Sequence, residues 1–340
     1  RLILSKNSTS IYSRDSPNRA GNRQSEPLTR SNSRFRTASG IGLGQDLRLR
    51  PMRFPNISTT SRLRAFLEIV RLPNCLMIGL AVIVGEFIGL GRLPSYTVAT
   101  FGFLTASLMM AGTMILNDIH DVEVDRVNNP QRPIPSGRIK NRGAYLLAVS
   151  FSAASILFAV LLGPWTALTG LLALGLMTYY NTGGKRTGLP GNLVVSFNVA
   201  LPFFYGGLAV GSLTVLLYVF SVLAFLANLG REIAKGIPDV QGDRALGVRT
   251  LAVSAGPKKA ATASASMFLA VVVLSLLPPI AGRLSILYFP VISLADAGFA
   301  YSSYRLLVNQ TPKSVRKTKT MVLLWMLLGL VGFLLGGFSF

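Results

Sequence analysis

The feature that most limits what this chain can become is the length of its charge-free runs. Residues 93 to 117, 143 to 184, 187 to 230, 260 to 282 and 320 to 340 contain no Asp, Glu, Lys or Arg. About 20 apolar residues cross a bilayer as one helix, so every run is long enough to span, and a water-soluble domain would have no use for them. The two longest runs are each about twice a span and carry a Gly/Pro break near the middle, at Gly163-Pro164 and around Gly211. Each is therefore expected to fold as a helical hairpin. Two further stretches, from about Ala65 to Leu90 and from about Leu284 to Tyr304, complete an expected all-α bundle of nine transmembrane helices.

Composition agrees with that reading. Of 340 residues, 50% are apolar and only 14% are charged, against about 25% charged in soluble domains. The single Cys, Cys75, excludes an intrachain disulfide, and with a single His, His120, it leaves no zinc site of the usual kind. Cys75 reads as a small packing residue rather than a nucleophile. Any metal chemistry must use carboxylates.

The charges that remain are strongly sided. With the start of the bundle in the cytoplasm, 22 of the 24 basic residues beyond Pro51 fall before helix 1 and after helices 2, 4, 6 and 8; Arg92 and Arg283 fall on the other face. This asymmetry follows the positive-inside rule. It predicts a multi-pass protein of the cell membrane, and it accounts for most of the formal net charge of +21 without nucleic acid. Membrane lipids and phosphorylated substrates are the natural partners. Residues 1 to 51 are different, with ten basic and three acidic residues, many Ser and Asn, and no hydrophobic period. They are expected to be a disordered, non-structural tail, since the chain does not begin with Met and Met52 sits just ahead of the first ordered-looking segment. A targeting peptide or a nucleic-acid arm is the alternative.

The acids carry the chemistry. Residues 52 to 340 hold ten Asp/Glu, and seven lie in two short segments: Asp118, Asp121, Glu123 and Asp125, then Glu232, Asp239 and Asp243. Asn117, Asp121 and Asp125 share one helical face, and Asp239 and Asp243 are again four apart. Like charges at this spacing repel unless a cation lies between them. Oxygen ligands alone suit Mg²⁺, which takes one or two carboxylates together with substrate phosphate oxygens. Arg126, Arg132, Arg138, Lys185, Arg186, Arg231, Lys235 and Arg244 surround these acids, and the combination reads as a diphosphate site. The bland alternative is salt bridging between acids and loop cations. His120 and Glu123 point away from the Asn117 face and are expected to be solvated.

Residues 117 to 125, Asn-Asp-Ile-His-Asp-Val-Glu-Val-Asp, fit the NDxxDxxxD signature of the UbiA-type intramembrane prenyltransferases. The loop that follows, residues 129 to 137, resembles that family's loop, and Asp239-Val-Gln-Gly-Asp243 fits its second aspartate motif. The resemblance covers residues 60 to 340. It implies nine helices around a central cavity, with the two motifs facing each other beneath cytoplasmic cap loops. Glu68 to Met77 and Gly230-Arg-Glu-Ile-Ala-Lys235 look most like one branch of the family, the archaeal digeranylgeranylglyceryl phosphate synthases. One departure is the Gly-Ile-Pro of 236 to 238, where relatives often carry a charged residue; Pro238 should break helix 6 just before Asp239.

The resemblance implies Mg²⁺-dependent transfer of a geranylgeranyl group from geranylgeranyl diphosphate to the free hydroxyl of a lipid-phosphate acceptor, geranylgeranylglyceryl phosphate. Asn117, Asp121 and Asp125 would hold one ion and Asp239 and Asp243 a second. Arg132 and Lys185 would add to the diphosphate clamp, Arg71 and Arg231 would take the acceptor phosphate, and Asp118, Lys235 and Asn192 complete the candidate substrate contacts. Tyr180, Phe197 and Phe203 are candidates to face the allylic cation. Three rival readings remain. A secondary transporter would place its charges near mid-membrane, a nucleic-acid binder would use the tail, and a relative acting on an aromatic or tetrapyrrole acceptor is suggested by Asp243-Arg-Ala-Leu-Gly247. Oligomeric state is left open.

Overall fold

The computed structural model describes residues 59–245, 247–281 and 284–337. The expectations for residues 1 to 51, for Met52 and for Arg283 fall outside them. All regular secondary structure among the described residues is helical. In chain order the α-helices are α1 Thr59–Val70, α2 Leu72–Leu90, α3 Tyr96–His120, α4 Val122–Asn128, α5 Asn141–Leu162, α6 Pro164–Thr182, α7 Leu189–Ala209 and α8 Val215–Lys235. There follow α9 Val240–Ala245, α10 Leu251–Ser254, α11 Pro257–Leu274, α12 Pro278–Ala281, α13 Tyr288–Val308 and α14 Pro312–Gly336.

Seven helical segments are long and apolar enough to cross a membrane: α2, α3, α5, α7, α8, α11 continued to Ile280, and α14. Two more helices, α6 with 19 residues and α13 with 21, match them in length. They are more polar, through Thr166, Thr169, Thr178 and Asn181 in α6 and Asp296, Ser302, Ser303 and Arg305 in α13.

The breaks follow local backbone chemistry. Gly163 adopts φ 138 and ψ 174 between α5 and α6, with Pro164 at the first position of α6, where a missing N–H costs nothing. Gly211 supplies φ 68 between α7 and α8, so both expected hairpins turn where the sequence placed them. The first span is a correction: 65 to 90 is not one helix. It stops at Val70 and restarts at Leu72: Pro73 has no N–H to continue the α1 ladder and its ring would crowd the carbonyl four residues back, so the chain turns at Arg71, φ 56, ψ 55, and Pro73 sits in the first turn of α2. Arg71 is the one non-glycine residue with positive φ among the described residues.

Packing is inverted relative to a soluble bundle. Along α5 the buried residues are Ala144, Ala148, Ser155 and Ala159, while Leu146, Val149, Leu157, Val160 and Leu161 are exposed. Small residues allow close approach where helices have no hydrophobic drive to associate in lipid. A Cβ on Gly112, for example, would stand 3.0 Å from the Ala148 carbonyl oxygen and 2.7 Å from Ser152 Oγ. Contacts run α5 to α3, α3 to α2, α2 to α7 and α7 to α8, then through α11, α13 and α14 back to α8 and α2. The ring encloses a cavity of about 460 Å³ lined by side chains from α2, α3, α6, α7, α8, α11, α13 and α14.

Candidate functional site

One end of the bundle gathers the polar chemistry. The backbone ladder runs unbroken through the first motif, with Asp121 N donating to Asn117 O (3.0 Å), Asp125 N to Asp121 O (2.8 Å) and Asn129 N to Asp125 O (2.8 Å). The three motif residues thus keep one-turn spacing although α3 ends at His120 and α4 begins at Val122. His120 and Glu123 are exposed, and Glu123 pairs with Arg126 at 2.7 Å.

Each acid of this motif meets a cation. Arg132 Nη1 donates to Asp125 Oδ2 at 2.6 Å, and Asn129 Nδ2 adds a contact to the other oxygen at 3.3 Å. Lys185 Nζ donates to Asp121 Oδ1, tying the loop after α6 to the end of α3. Buried Asp118 accepts from Arg71 Nη2 at 2.6 Å and lies 3.6 Å from Arg132. Arg138 joins the loop after α4 to Glu68 of α1 at 2.8 Å. The loop after α6 also meets the segment after α9, where Arg249 N donates to Arg186 O at 3.3 Å. A Cβ on Gly188, whose φ is 75, would lie 1.9 Å from the Arg249 carbonyl, so a side chain there would push these loops apart.

The second motif is placed differently from the first. Helix α8 ends at Lys235, three residues before Pro238, as Gly236 caps it. Asp239 is 51% exposed and pairs with Arg316 of α14 at 3.3 Å. Asp243 is half-buried; burial pushes its carboxyl above the usual range, Asp239 adds to that push, and a hydrogen bond from Thr250 opposes it. Among the described residues no three His, Cys, Asp or Glu stand together as a ready-made metal cage. The donor set nevertheless fits Mg²⁺ in its usual mode, since every donor is oxygen, the carboxylates come in pairs, and phosphate oxygens and water normally complete its shell. The mutual repulsion of Asp239 and Asp243 is the kind of strain a divalent cation relieves.

The cavity opens below these residues. Arg71, Asn117, Tyr180, Arg231 and Lys235 line it, as does Phe203. Tyr180 lies within electrostatic range of both Asp121 and Glu232, so the two acidic segments converge around it. Asp118, Asp121, Asp125, Arg132, Lys185, Asn192, Asp239 and Asp243 are not among the lining residues; the first five surround the mouth through the ion pairs above. Phe197 is a correction: it is 42% exposed and does not line the cavity, because it lies on the outer face of α7.

Glu232, already part of the second acidic segment in the sequence, is buried and accepts from Arg231 Nη1 at 2.9 Å and from Lys235 Nζ at 2.5 Å. Three other lining residues carried no sequence signal of their own. Asn181 and Asn228 are buried in the cavity wall. Deeper down, Asp296 lines the cavity and accepts from Ser275 Oγ at 2.7 Å. The usable clue was the presence of amide or acid groups inside apolar runs, where they are expensive.

A family model described as the UbiA prenyltransferase family matches residues 78–336. This chain belongs to that family. It is a multi-pass membrane protein of the prenyltransferase class. It is 34% identical over 277 residues to the digeranylgeranylglyceryl phosphate synthase of Thermococcus sibiricus, covering 82% of this chain and 98% of the relative. A solved structure giving structural and mechanistic insights into digeranylgeranylglyceryl phosphate synthase in membranes superposes with a TM-score of 0.68 at 25% identity, over 81% of this chain and 98% of that one. A UbiA homolog from Archaeoglobus fulgidus, solved bound to GPP and Mg²⁺, shares the fold with a TM-score of 0.58 at 19% identity, over 79% and 99% of the two chains.

Proposed function

We propose that this UbiA prenyltransferase transfers a geranylgeranyl group from geranylgeranyl diphosphate to the free hydroxyl of geranylgeranylglyceryl phosphate and releases diphosphate. The observation that carries the reading is the joining of an apolar intramembrane cavity to a mouth rimmed by Arg71, Arg132, Lys185, Arg231 and Lys235. Such a site takes a ligand with a greasy tail and an anionic head. The relatives named above, matched over 98% of their own length and over 82% and 81% of this chain, support the choice of acceptor.

On this reading nine helices span the bilayer, α6 and α13 included, and the mouth faces the cytoplasm, where the basic loops belong. Asn117, Asp121 and Asp125 would hold one Mg²⁺, and Asp239 and Asp243 would hold a second, with Asp239 giving up its surface partner Arg316. Mg²⁺ bound there would supply positive charge to neutralise the diphosphate leaving group. Lys185 and Arg132, already oriented by Asp121 and Asp125, donate to the same oxygens. The prenyl chain lies among Ile78, Met109 and Phe203, which exclude water from the allylic cation, and Tyr180 offers it a ring face. The acceptor phosphate binds Arg71 and Arg231. Its hydroxyl oxygen then bonds to C1, the diphosphate leaves with the electron pair of the broken bond, and the hydroxyl proton passes to the departing diphosphate, directly or through water.

The decisive experiment is incubation of purified protein with Mg²⁺, geranylgeranyl diphosphate and a panel of glyceryl phosphate, aromatic and tetrapyrrole acceptors, followed by mass analysis of lipid products. Product with the geranylgeranylglyceryl phosphate alone is expected. Product with an aromatic or tetrapyrrole acceptor instead would overturn the reading.

A further inference from the structure

Two asparagines in the cavity wall are held with one polar atom to spare. Asn228 of α8 is 4% exposed and donates its Nδ2 to Ser196 Oγ of α7 at 3.1 Å. Ser196 donates its only proton to the Asn192 carbonyl at 2.6 Å, so its oxygen can do nothing but accept from Asn228. The amide orientation is thereby fixed by the network, and the Asn228 carbonyl oxygen Oδ1 is left over. No group among the described residues donates to it, and Asn228 borders the cavity. Asn181 repeats the arrangement on α6, with its Nδ2 given to the Thr113 carbonyl at 3.2 Å.

What distinguishes Asn228 is its neighbour. Arg231 follows three residues later on α8, so the two share a helix face and differ in depth by about 4.5 Å. Arg231 lies toward the polar end, where Lys235 closes the helix. Its Nη1 is engaged by Glu232, yet its Nε is buried without a partner. The Arg231 guanidinium at the mouth and an unused acceptor one turn deeper form a matched pair. The complement is a ligand with an anionic oxygen above and a hydroxyl below, separated by a short carbon unit.

We propose that Asn228 receives the hydrogen bond of the acceptor's free hydroxyl while Arg231 holds its phosphate, an assignment that rests on the function proposed above. The acceptance fixes the hydroxyl proton toward Asn228 and turns an oxygen lone pair toward C1 of the donor. Asn228 therefore sets which acceptors react, and Ser196 is the positioning residue that keeps its carbonyl aimed.

The test pairs the variant with the substrate. Full-length wild type, Asn228→Ala and Ser196→Ala are assayed with Mg²⁺ and geranylgeranyl diphosphate. The acceptor is geranylgeranylglyceryl phosphate, and its deoxy analogue, which keeps phosphate and tail but lacks the free hydroxyl, serves as competitive inhibitor. Wild type should bind the hydroxyl compound about tenfold more tightly than the analogue, the scale of one hydrogen bond. Asn228→Ala should erase that preference, lower kcat and leave the donor KM and the analogue's inhibition constant unchanged. Ser196→Ala should reduce the preference partly; it decides the matter if Asn228→Ala cannot be purified folded. Equal weakening of both compounds, or a shift in donor KM, would mean a structural role and overturn the proposal. A wild type that prenylates only a different acceptor overturns the proposed function. A preference that Asn228→Ala leaves intact overturns this inference alone.

Discussion

Arg71 Nη2 lies 2.6 Å from Asp118 Oδ1, and this ion pair fastens the left-handed joint between α1 and α2 to the acidic-motif end of α3. An arginine held at φ 56 carries backbone strain that only surrounding contacts can maintain. Here the contacts are the Asp118 carboxylate and Met114 Sδ, 3.2 Å from the other terminal nitrogen. The same guanidinium borders the cavity. The strained joint thus aims a cation at the space where an anionic head would sit.

Removing that cation should therefore cost stability as well as binding. Arg71→Ala strands buried Asp118 with Arg132 alone, at 3.6 Å. Loss of one partner of a buried pair costs about 3 kcal/mol, so thermal unfolding in detergent should shift down by several degrees. An unchanged melting curve would mean that the pair holds nothing together.

Metal removal separates the acid motifs from mere salt bridging. Prenyl transfer should vanish with EDTA and return with Mg²⁺. Asp121→Ala, Asp125→Ala and Asp243→Ala should each lose at least ~10²-fold in rate, the scale of one preorganised charge-stabilising group. His120→Ala, on an exposed side chain, should change little. Activity in fully chelated protein would refute the metal role.

Close packing around Glu86 gives a prediction independent of catalysis. Glu86 is fully buried in α2, and a Cβ on Gly102 of α3 would stand 2.0 Å from its Oε1. Gly102→Ala should destabilise by about 1–3 kcal/mol. Gly175→Ala on α6, with no atom within 4 Å of the added Cβ, should be neutral or slightly stabilising. The pair of melting temperatures measures the difference, and equal behaviour would contradict the α2 to α3 contact.

Orientation in the membrane is open to labelling. The lone native thiol, Cys75, is 3% exposed and should stay silent. Single cysteines introduced within 126–142 or 306–319 should resist impermeant reagents added to intact spheroplasts, whereas one at position 92 should react. The reverse pattern would put the acidic mouth outside the cell.

The sequence alone determined what depends on one dimension. Charge-free length fixes where helices can cross a bilayer, because bilayer thickness and the cost of burying charge act on any continuous segment. Gly163-Pro164 and Gly211 break their runs through local backbone chemistry, and Asn117, Asp121 and Asp125 align by helical period. Tertiary structure decided which faces look inward. In water an amphipathic stripe marks the buried side of a helix, but in lipid both sides are apolar and the stripe disappears. That is why Phe197 was expected in the cavity and lies outside it, and why Asn228 and Asn181, though out of place in apolar runs, were not assigned to its wall. Arg71 belongs to the same class. Pro73 supplies the break locally, but that an arginine holds the left-handed conformation there rests on Asp118, 47 residues away in sequence, which the packing of α2 on α3 brings within reach.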